Sequence, residues 1–242
     1  MNKLILCEGK TDAILLSYYL GKMRGWESTR KGPKGLEIRA DEDRGESAYW
    51  YRRGADQLLI CGVGGKDNFG SFFDEKIKRP ILDSTTFSQM AVVTDRDNRE
   101  EKEIQKAISG CLEPIIGQVR QNEWTQNRYR NSFGQQEEME FLLLIIPTDK
   151  EGALEALLLE AISEDPYDRK IVERCGDFVD SMEADAGRYL KSPRLKLKSR
   201  LGVTWAIQSP GKEFHFIDQQ IRAVPWESYE LLSRCFAQLF SM

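Results

Sequence analysis

Four carboxylate residues follow two short apolar runs, and their types and spacing could do chemistry. Glu8 comes directly after the apolar residues 4–7 with Asp12 four positions later, and Asp95 and Asp97 follow a second apolar run. Uninterrupted apolar runs of this length are typical of parallel strands buried on both faces. The carboxylates are therefore predicted to lie at the carboxyl ends of neighbouring strands, the edge at which open α/β sheets bind ligands.

Carboxylates grouped at one edge repel one another unless a cation neutralises them. Oxygen ligands with no His or Cys nearby indicate a hard ion, Mg²⁺ or Mn²⁺, rather than zinc. If the extended geometry of the second strand continues, alternation puts Asp95 and Asp97 on the same side. Either motif alone would suit a helix start or a surface loop. Their occurrence together, each after a buried strand, predicts a site for a divalent ion.

The two motifs carry a family resemblance. EGKTD at residues 8–12, followed by Asp95-x-Asp97 after a hydrophobic strand, resembles the Toprim domain of topoisomerases, bacterial primases, small ribonucleases and OLD-type nucleases. Single-domain relatives of the OLD nucleases are the most similar, over residues 3–160 by order of elements. The resemblance implies an α/β fold with a mainly parallel central sheet flanked by helices. It also implies phosphodiester chemistry with a pair of Mg²⁺ or Mn²⁺ ions held by Glu8, Asp12, Asp95 and Asp97.

The resemblance implies further functional residues outside the two motifs. A GxLExLL-type helix after an "IIP" strand supplies an additional acidic residue near the metal, which maps to Glu155. A lysine beyond the carboxylates is a feature of OLD-type sites; Lys198 is the match and Lys196 a second candidate. Glu8 is the residue whose loss should most selectively remove catalysis. Without the resemblance, Glu155 and the lysines would be interpreted as exposed helix residues.

A glycine-rich turn is a candidate phosphate-binding element. Gly64 and Gly65 follow the predicted strand 58–61 and permit close backbone approach by a phosphate, and Lys66 offers a positive charge. Arg96, between the two aspartates, is a further candidate. The turn lacks the GxxxxGK[ST] spacing of a P-loop, so the sequence does not predict nucleotide hydrolysis.

The chain of 242 residues suits one large α/β domain or a core domain with a small appendage. We predict a core over residues 1–162 and a helical extension, packed on the core, over residues 163–242. The predicted core strands are 4–7, 58–61, 90–94 and 141–146. The predicted insertions are 24–56 and 118–136, the second a β-ribbon. The predicted helices of the extension are 167–182, 189–205 and 226–240.

Composition favours a cytoplasmic protein that does not enter a membrane. Hydrophobic residues make up 40% and charged residues 31%, and the start lacks the apolar region of a signal peptide. The five cysteines are widely spaced and form no CxxC pair, so buried reduced thiols are expected. The only histidine, His215, has no recognisable nucleophile context and is interpreted as structural.

Two surface clusters could touch nucleic acid although the net charge is −4. Basic residues concentrate between 191 and 200, Arg194 among them, and could equally balance acidic neighbours. The aromatic and basic cluster at residues 49–53 could stack on bases, but a hairpin covering a sheet edge explains it better.

Together these observations predict a small metal-dependent nuclease of a defence system, such as one against phages, or of an RNA-processing system. DNA and RNA fit the residue pattern equally well. Two alternatives remain open. One is a primase-like nucleotidyl transferase that uses the same carboxylates. The other is a non-catalytic Toprim module that binds nucleic acid, a partner ATPase or a second copy of the chain.

Overall fold

The computed structural model describes residues 1–84, 87–211, 221–222 and 224–242, and in these residues a mixed sheet forms the centre. Its strands are β1 (Asn2–Cys7), β2 (Glu27–Thr29), β3 (Glu46–Arg53), β4 (Asp56–Val63), β5 (Gln89–Asp95), β6 (Thr125–Arg130) and β7 (Gln136–Ile146). Their order across the sheet is β2-β3-β4-β1-β5-β7-β6. The adjacent strands β4, β1, β5 and β7 are parallel, whereas β2, β3 and β6 join antiparallel.

The four predicted core strands are confirmed, and they are the four parallel ones. The sheet as a whole is mixed because both predicted insertions extend its edges. The first contributes β2 and β3, and the second contributes β6, which pairs with β7 as a ribbon. Trp50 and Tyr51 on β3 are buried, so the aromatic cluster covers the sheet rather than presenting rings for base stacking.

Helices lie on both faces of the sheet. They are α1 (Lys10–Arg24), α2 (Phe69–Phe72), α3 (Lys78–Ser84), α4 (Glu101–Leu112), α5 (Leu154–Ile162), α6 (Pro166–Ser181), α7 (Pro193–Gln208) and α8 (Glu230–Cys235). A π-helical turn at Phe73–Ile77 connects α2 to α3.

Side-chain alternation along the central strands builds two hydrophobic cores, one on each face. Leu4 and Leu6 of β1 point into the core covered by α2, α3 and α4. Ile5 and Cys7 point into the opposite core, covered by α1, α5, α7 and the C-terminal segment. All four side chains are fully buried. The strand is apolar without interruption because neither of its faces meets water.

The C-terminal region is helical, with bounds that differ from those predicted. Helix α7 begins at Pro193 rather than at residue 189, because the Ser192 hydroxyl accepts a hydrogen bond from the Leu195 N–H (3.3 Å) and caps the helix. The single helix predicted over 226–240 is wrong. Short segments at Trp226–Ser228, Glu230–Cys235 and Ala237–Ser241 replace it. Each buries a large side chain in the hydrophobic core on the face of the sheet that α1 covers.

Two remaining predictions concern His215 and membranes. His215 lies outside the described residues. Among the helices of the described residues, none is long and apolar enough to cross a membrane.

Candidate functional site

Glu8 is held at the carboxyl end of β1 by groups from the neighbouring strand β5. Its Oε1 accepts hydrogen bonds from the Thr94 hydroxyl (2.8 Å) and from the Asp95 N–H (2.9 Å). The residue is only 5% exposed. Because β1 and β5 are adjacent and parallel, their ends coincide and bring Glu8 and Asp95 together, as predicted.

A tight turn between β1 and α1 brings Asp12 to the same edge. Gly9 caps α1, and its N–H donates to Asp12 Oδ2 at 3.1 Å. The turn packs directly on β4, where a Cβ atom at Gly62 would lie 2.7 Å from the carbonyl carbon and oxygen of Gly9. A glycine at position 62 therefore permits the approach that positions the first acidic motif.

Asp95 and Asp97 are positioned in different ways. Asp95 is the last residue of β5, and its Oδ1 accepts a hydrogen bond from the Leu154 N–H at 2.9 Å, at the start of α5. Asp97 has φ +53° and exchanges backbone hydrogen bonds of 2.6 and 2.9 Å with Gly152. The extended geometry therefore stops before Asp97, so the condition under which strand alternation would align the two carboxylates is not met.

Arg194, near the start of α7, joins the carboxylates. Its Nη2 lies 3.1 Å from Asp95 Oδ2 and 3.7 Å from Glu8 Oε2, and its Nη1 lies 3.4 Å from Asp97 Oδ1. The sequence placed Arg194 only in a general basic run. No spacing links it to strands about a hundred residues earlier, so the contact emerges only from the tertiary packing of α7.

Three other predicted site residues also lie at this edge. Lys66 forms an ion pair with Asp97. Lys198 Nζ lies 3.7 Å from Glu155 Oε1. The second carboxylate oxygen of Glu155, Oε2, is buried and makes no hydrogen bond with a described residue. The edge thus gathers the five predicted carboxylates with Lys66 and Lys198.

The side chains of two further candidates, Lys196 and Arg96, form ion pairs with residues outside the carboxylate cluster. Lys196 pairs with Glu183 at 2.6 Å, so the structure does not bring it to the carboxylates. Arg96 pairs with Glu101 at 3.1 Å, although its neighbours in sequence belong to the site.

The glycine-rich turn that follows β4 supports the site through a backbone hydrogen bond to Glu8. Gly64 and Gly65 both have positive φ, of 81° and 128°. The Gly65 N–H donates to the Glu8 carbonyl oxygen at 2.8 Å, and the Asn68 side chain donates to the Gly64 carbonyl oxygen at 2.9 Å. Because the Gly65 amide already binds Glu8, the turn positions Glu8, and its predicted phosphate contact would require this hydrogen bond to open.

Two cavities meet at Arg194. The first has a volume of about 480 Å³, and its polar lining residues include Glu8, Asp12, Asp95, Glu155 and Lys198. The second has a volume of about 520 Å³, and its polar lining residues include Lys66, Asp97, Asn98, Glu151 and Ser192. Arg194 lines both. Arg194 therefore borders both spaces, which between them are lined by all five carboxylates.

Crowding and burial make the carboxylates hard to ionise. Burial, followed by the nearby Glu8 carboxylate, raises the pKa of Asp12 to about 7. Burial and the carboxylates of Glu8 and Asp12 raise the pKa of Asp95 well above its ordinary value. Although burial alone would lower it, the carboxylates of Asp95, Asp97 and Glu8 raise the pKa of Arg194. Ionisation of all these carboxylates would therefore leave an excess of negative charge that the Arg194 guanidinium alone does not cancel.

The chemistry of this donor set fits a hard divalent cation. All five predicted ligands offer carboxylate oxygens, and Glu155 Oε2 is a buried acceptor to which no described residue donates. In their present arrangement, however, no group of three or more His, Cys, Asp or Glu side chains in the described part of the chain could hold a metal ion. The carboxylates are instead arranged around Arg194 and backbone N–H groups.

Comparisons with known proteins assign the chain to a family. No curated protein matches the sequence significantly. A crystal structure of hypothetical protein PH0156 from Pyrococcus horikoshii OT3 is similar at a TM-score of 0.46 and 18% identity, covering 98% of this chain and 99% of that one. The family described as "Protein of unknown function (DUF3226)" matches residues 2–240. Because this match spans nearly the whole sequence, the chain belongs to the DUF3226 family.

Proposed function

We propose that this protein is a Mg²⁺- or Mn²⁺-dependent nuclease with a Toprim-type carboxylate cluster. The observation that carries the proposal is the convergence of Glu8, Asp12, Asp95, Asp97 and Glu155 at one sheet edge, beside two cavities. Carboxylate oxygens buried only to stabilise the fold would be expected to pair, whereas the buried Oε2 of Glu155 has no hydrogen-bond partner among the described residues.

The Toprim assignment is supported by the order of the elements. The EGKTD motif connects β1 to α1, and Asp95-x-Asp97 follows the adjacent parallel strand β5. The proposal includes a cytoplasmic location and a nucleic acid as the substrate, DNA or RNA.

Each residue of the edge has a separate role in this proposal. Glu8, Asp12, Asp95, Asp97 and Glu155 would hold the ions. A bound divalent pair supplies Lewis-acid activation of water and stabilisation of the leaving oxygen. Thr94 and the Asp95 N–H orient the Glu8 carboxylate. Lys66 and Lys198, each in one of the two cavities that Arg194 lines, would neutralise charge on the phosphodiester.

Glu8→Gln tests the proposal. Glutamine keeps the size of the side chain and one oxygen that can accept from Thr94 and Asp95, but it removes the charge needed to hold a divalent ion. We expect hydrolysis in Mn²⁺ to fall by at least about a hundredfold, which corresponds to about 2.7 kcal/mol of transition-state stabilisation. The measurement is cleavage of single-stranded DNA, duplex DNA and structured RNA. The melting temperature in EDTA should hold or rise, because a member of a repelling cluster has lost its charge.

Glu160→Gln is the matched control, because Glu160 lies on the exposed side of α5 and pairs with Lys150. This variant should cleave like the wild type. Equal cleavage by wild type and Glu8→Gln would show that the proposed metal mechanism is wrong. Incorporation of labelled nucleotides in place of strand cleavage would identify a nucleotidyl transferase.

A second candidate function is a non-catalytic module that binds nucleic acid or a partner ATPase. The observation that favours it is Arg194, whose guanidinium already neutralises part of the cluster. Binding of the same nucleic acids in EDTA, with no cleavage in Mn²⁺, would support this module over the nuclease.

A further inference from the structure

We propose that Arg194 is a built-in counter-ion of the carboxylate edge, which a divalent cation must displace, and that the displaced guanidinium then binds the phosphodiester of the substrate. This inference rests on the proposed metal-dependent nuclease and describes how the same site is regulated. It assigns a function to a residue outside the acidic motifs.

The hydrogen bonds of the carboxylates show why Arg194 and a metal ion would compete. Glu8 Oε1 is occupied by Thr94 and the Asp95 N–H, and Asp95 Oδ1 is occupied by the Leu154 N–H. The remaining oxygens, Glu8 Oε2 and Asp95 Oδ2, lie 3.7 and 3.1 Å from Arg194 Nη2. On Glu8 and Asp95, the oxygens left for a cation are therefore the ones that the guanidinium contacts.

Burial decides which partner can move. The side chains of Glu8 and Asp95 are 6% and 4% exposed, and backbone or hydroxyl donors hold both. The Arg194 side chain is 41% exposed. It extends from the second position of α7, after the Ser192 cap and Pro193. Rotation of the Arg194 side chain toward solvent would free the carboxylates without moving a strand.

The place of Arg194 between the cavities indicates what it would bind after displacement. It lines both spaces, with Lys198 in the first and Lys66 in the second. A polynucleotide that crosses the edge would meet Lys198, Arg194 and Lys66 in turn. Guanidinium groups bind phosphate oxygens in a bidentate geometry, which lysines do not. Arg194 is thus suited to hold the phosphodiester beside the freed carboxylates.

Mn²⁺ affinity, measured by titration calorimetry on the full chain, tests the displacement. Arg194→Gln removes the competing charge, so its Mn²⁺ dissociation constant should be at least about tenfold lower than that of the wild type. Arg200→Gln is the matched control on the same helix, because Arg200 pairs with Asp180 at 2.6 Å. Its Mn²⁺ affinity should equal that of the wild type.

The Arg194→Gln variant should cleave more slowly although it binds Mn²⁺ more tightly. At saturating Mn²⁺, Arg194→Gln should cleave the substrate at least about tenfold more slowly than the wild type, because the phosphodiester has lost its guanidinium. Tighter Mn²⁺ binding together with slower cleavage is the signature of a displaced counter-ion. A merely structural arginine would weaken both.

A wild-type crystal soaked in Mn²⁺ gives a measurement that does not depend on the folding of a variant. We expect the Arg194 guanidinium beyond hydrogen-bond distance of Asp95, with Mn²⁺ against Asp95 Oδ2. An Arg194–Asp95 contact that persists beside bound Mn²⁺ would overturn the inference.

The outcomes separate this inference from the proposed nuclease. Unchanged Mn²⁺ affinity in Arg194→Gln, with an active wild type, would overturn the counter-ion and leave the nuclease standing. Tighter Mn²⁺ binding by the variant, with no cleavage by either protein, would support the displacement and overturn the nuclease and its phosphodiester contact. Failure of both proteins to bind Mn²⁺ would overturn both proposals.

Discussion

The side chain of Asp12 shows how carboxylate crowding links the site to stability. Burial and the Glu8 carboxylate raise its pKa from 3.8 to about 7. Between these values the folded protein binds more protons than the unfolded chain, so the contribution of Asp12 to the free energy of unfolding decreases as the pH rises. Without a bound cation, ionisation of Asp12 near neutral pH therefore destabilises the fold.

Asp12→Asn should remove this pH dependence. Asparagine keeps an oxygen that accepts from the Gly9 N–H but does not ionise. In EDTA, the melting temperature of the variant relative to the wild type should rise between about pH 4 and about pH 7 and then level off. We expect a rise of at least about 2–4 °C, the shift that accompanies about 1 kcal/mol in a chain of this size.

Asp180→Asn is the control for this series. A hydrogen bond from Arg200 lowers the pKa of Asp180. The melting temperature of this variant relative to the wild type should therefore not rise as the pH rises. A melting-temperature difference between Asp12→Asn and wild type that stays constant across the pH range would contradict the raised pKa of Asp12.

At the scale of elements, the position of Glu8 depends on the contact between the β1–α1 turn and β4. Gly9 and Gly62 approach so closely that a methyl group at position 62 would overlap the Gly9 backbone and lie 2.8 Å from Ser47 Oγ. Because the clash involves backbone atoms, a side-chain rotation cannot relieve it. The turn would have to move, and Glu8 and Asp12 would move with it.

Gly62→Ala should therefore lower both stability and cleavage. Overpacking of this kind costs about 1–3 kcal/mol, or about 2–4 °C in melting temperature for each kcal/mol. Differential scanning fluorimetry and the cleavage assay measure the two effects. Gly110 lies in α4, where an added Cβ atom would meet open space. Gly110→Ala should therefore hold or raise stability, since alanine is the better helix former. Equal melting temperatures for Gly62→Ala and wild type would refute the proposed packing.

At the scale of the whole molecule, the site joins distant parts of the chain. The strands β1 and β5 supply the first carboxylates, α5 supplies Glu155, and α7 supplies Arg194 and Lys198. Helix α7 is held in turn by the C-terminal segment, where Trp205 packs against Trp226 with ring centroids 6.3 Å apart. A ligand bound at the edge would therefore stabilise the folded molecule as a unit.

Mg²⁺ or Mn²⁺ should raise the melting temperature, because an ion that binds the folded state alone stabilises it by mass action. At about a hundred times the dissociation constant the gain is about 2.7 kcal/mol, or roughly 5–11 °C for a chain of this size. Asp95→Asn combined with Asp97→Asn should abolish the shift in a thermal melt. A shift of unchanged size in this double variant would locate the metal elsewhere.

The sequence by itself determined the elements whose information is local. Unbroken apolar runs predicted β1, β4, β5 and β7, because strands buried on both faces carry apolar residues at every position. Glu8, Asp12 and Asp95 were placed at one edge because parallel strands end together. The helix bounds near residues 193 and 226–240 were predicted less well, because caps and packing against α1 decide them.

Only the tertiary structure decided how the charges at the edge are paired. The alternation of side chains along β5 does not extend to Asp97, where backbone hydrogen bonds to Gly152 replace the extended geometry. Arg194 and Asp95 are 99 residues apart, and no local pattern records their contact. Coulombic pairing depends on distance in space, whereas periodicity reports only the neighbours along one element. For that reason the carboxylates were predictable from the sequence, and the guanidinium among them was not.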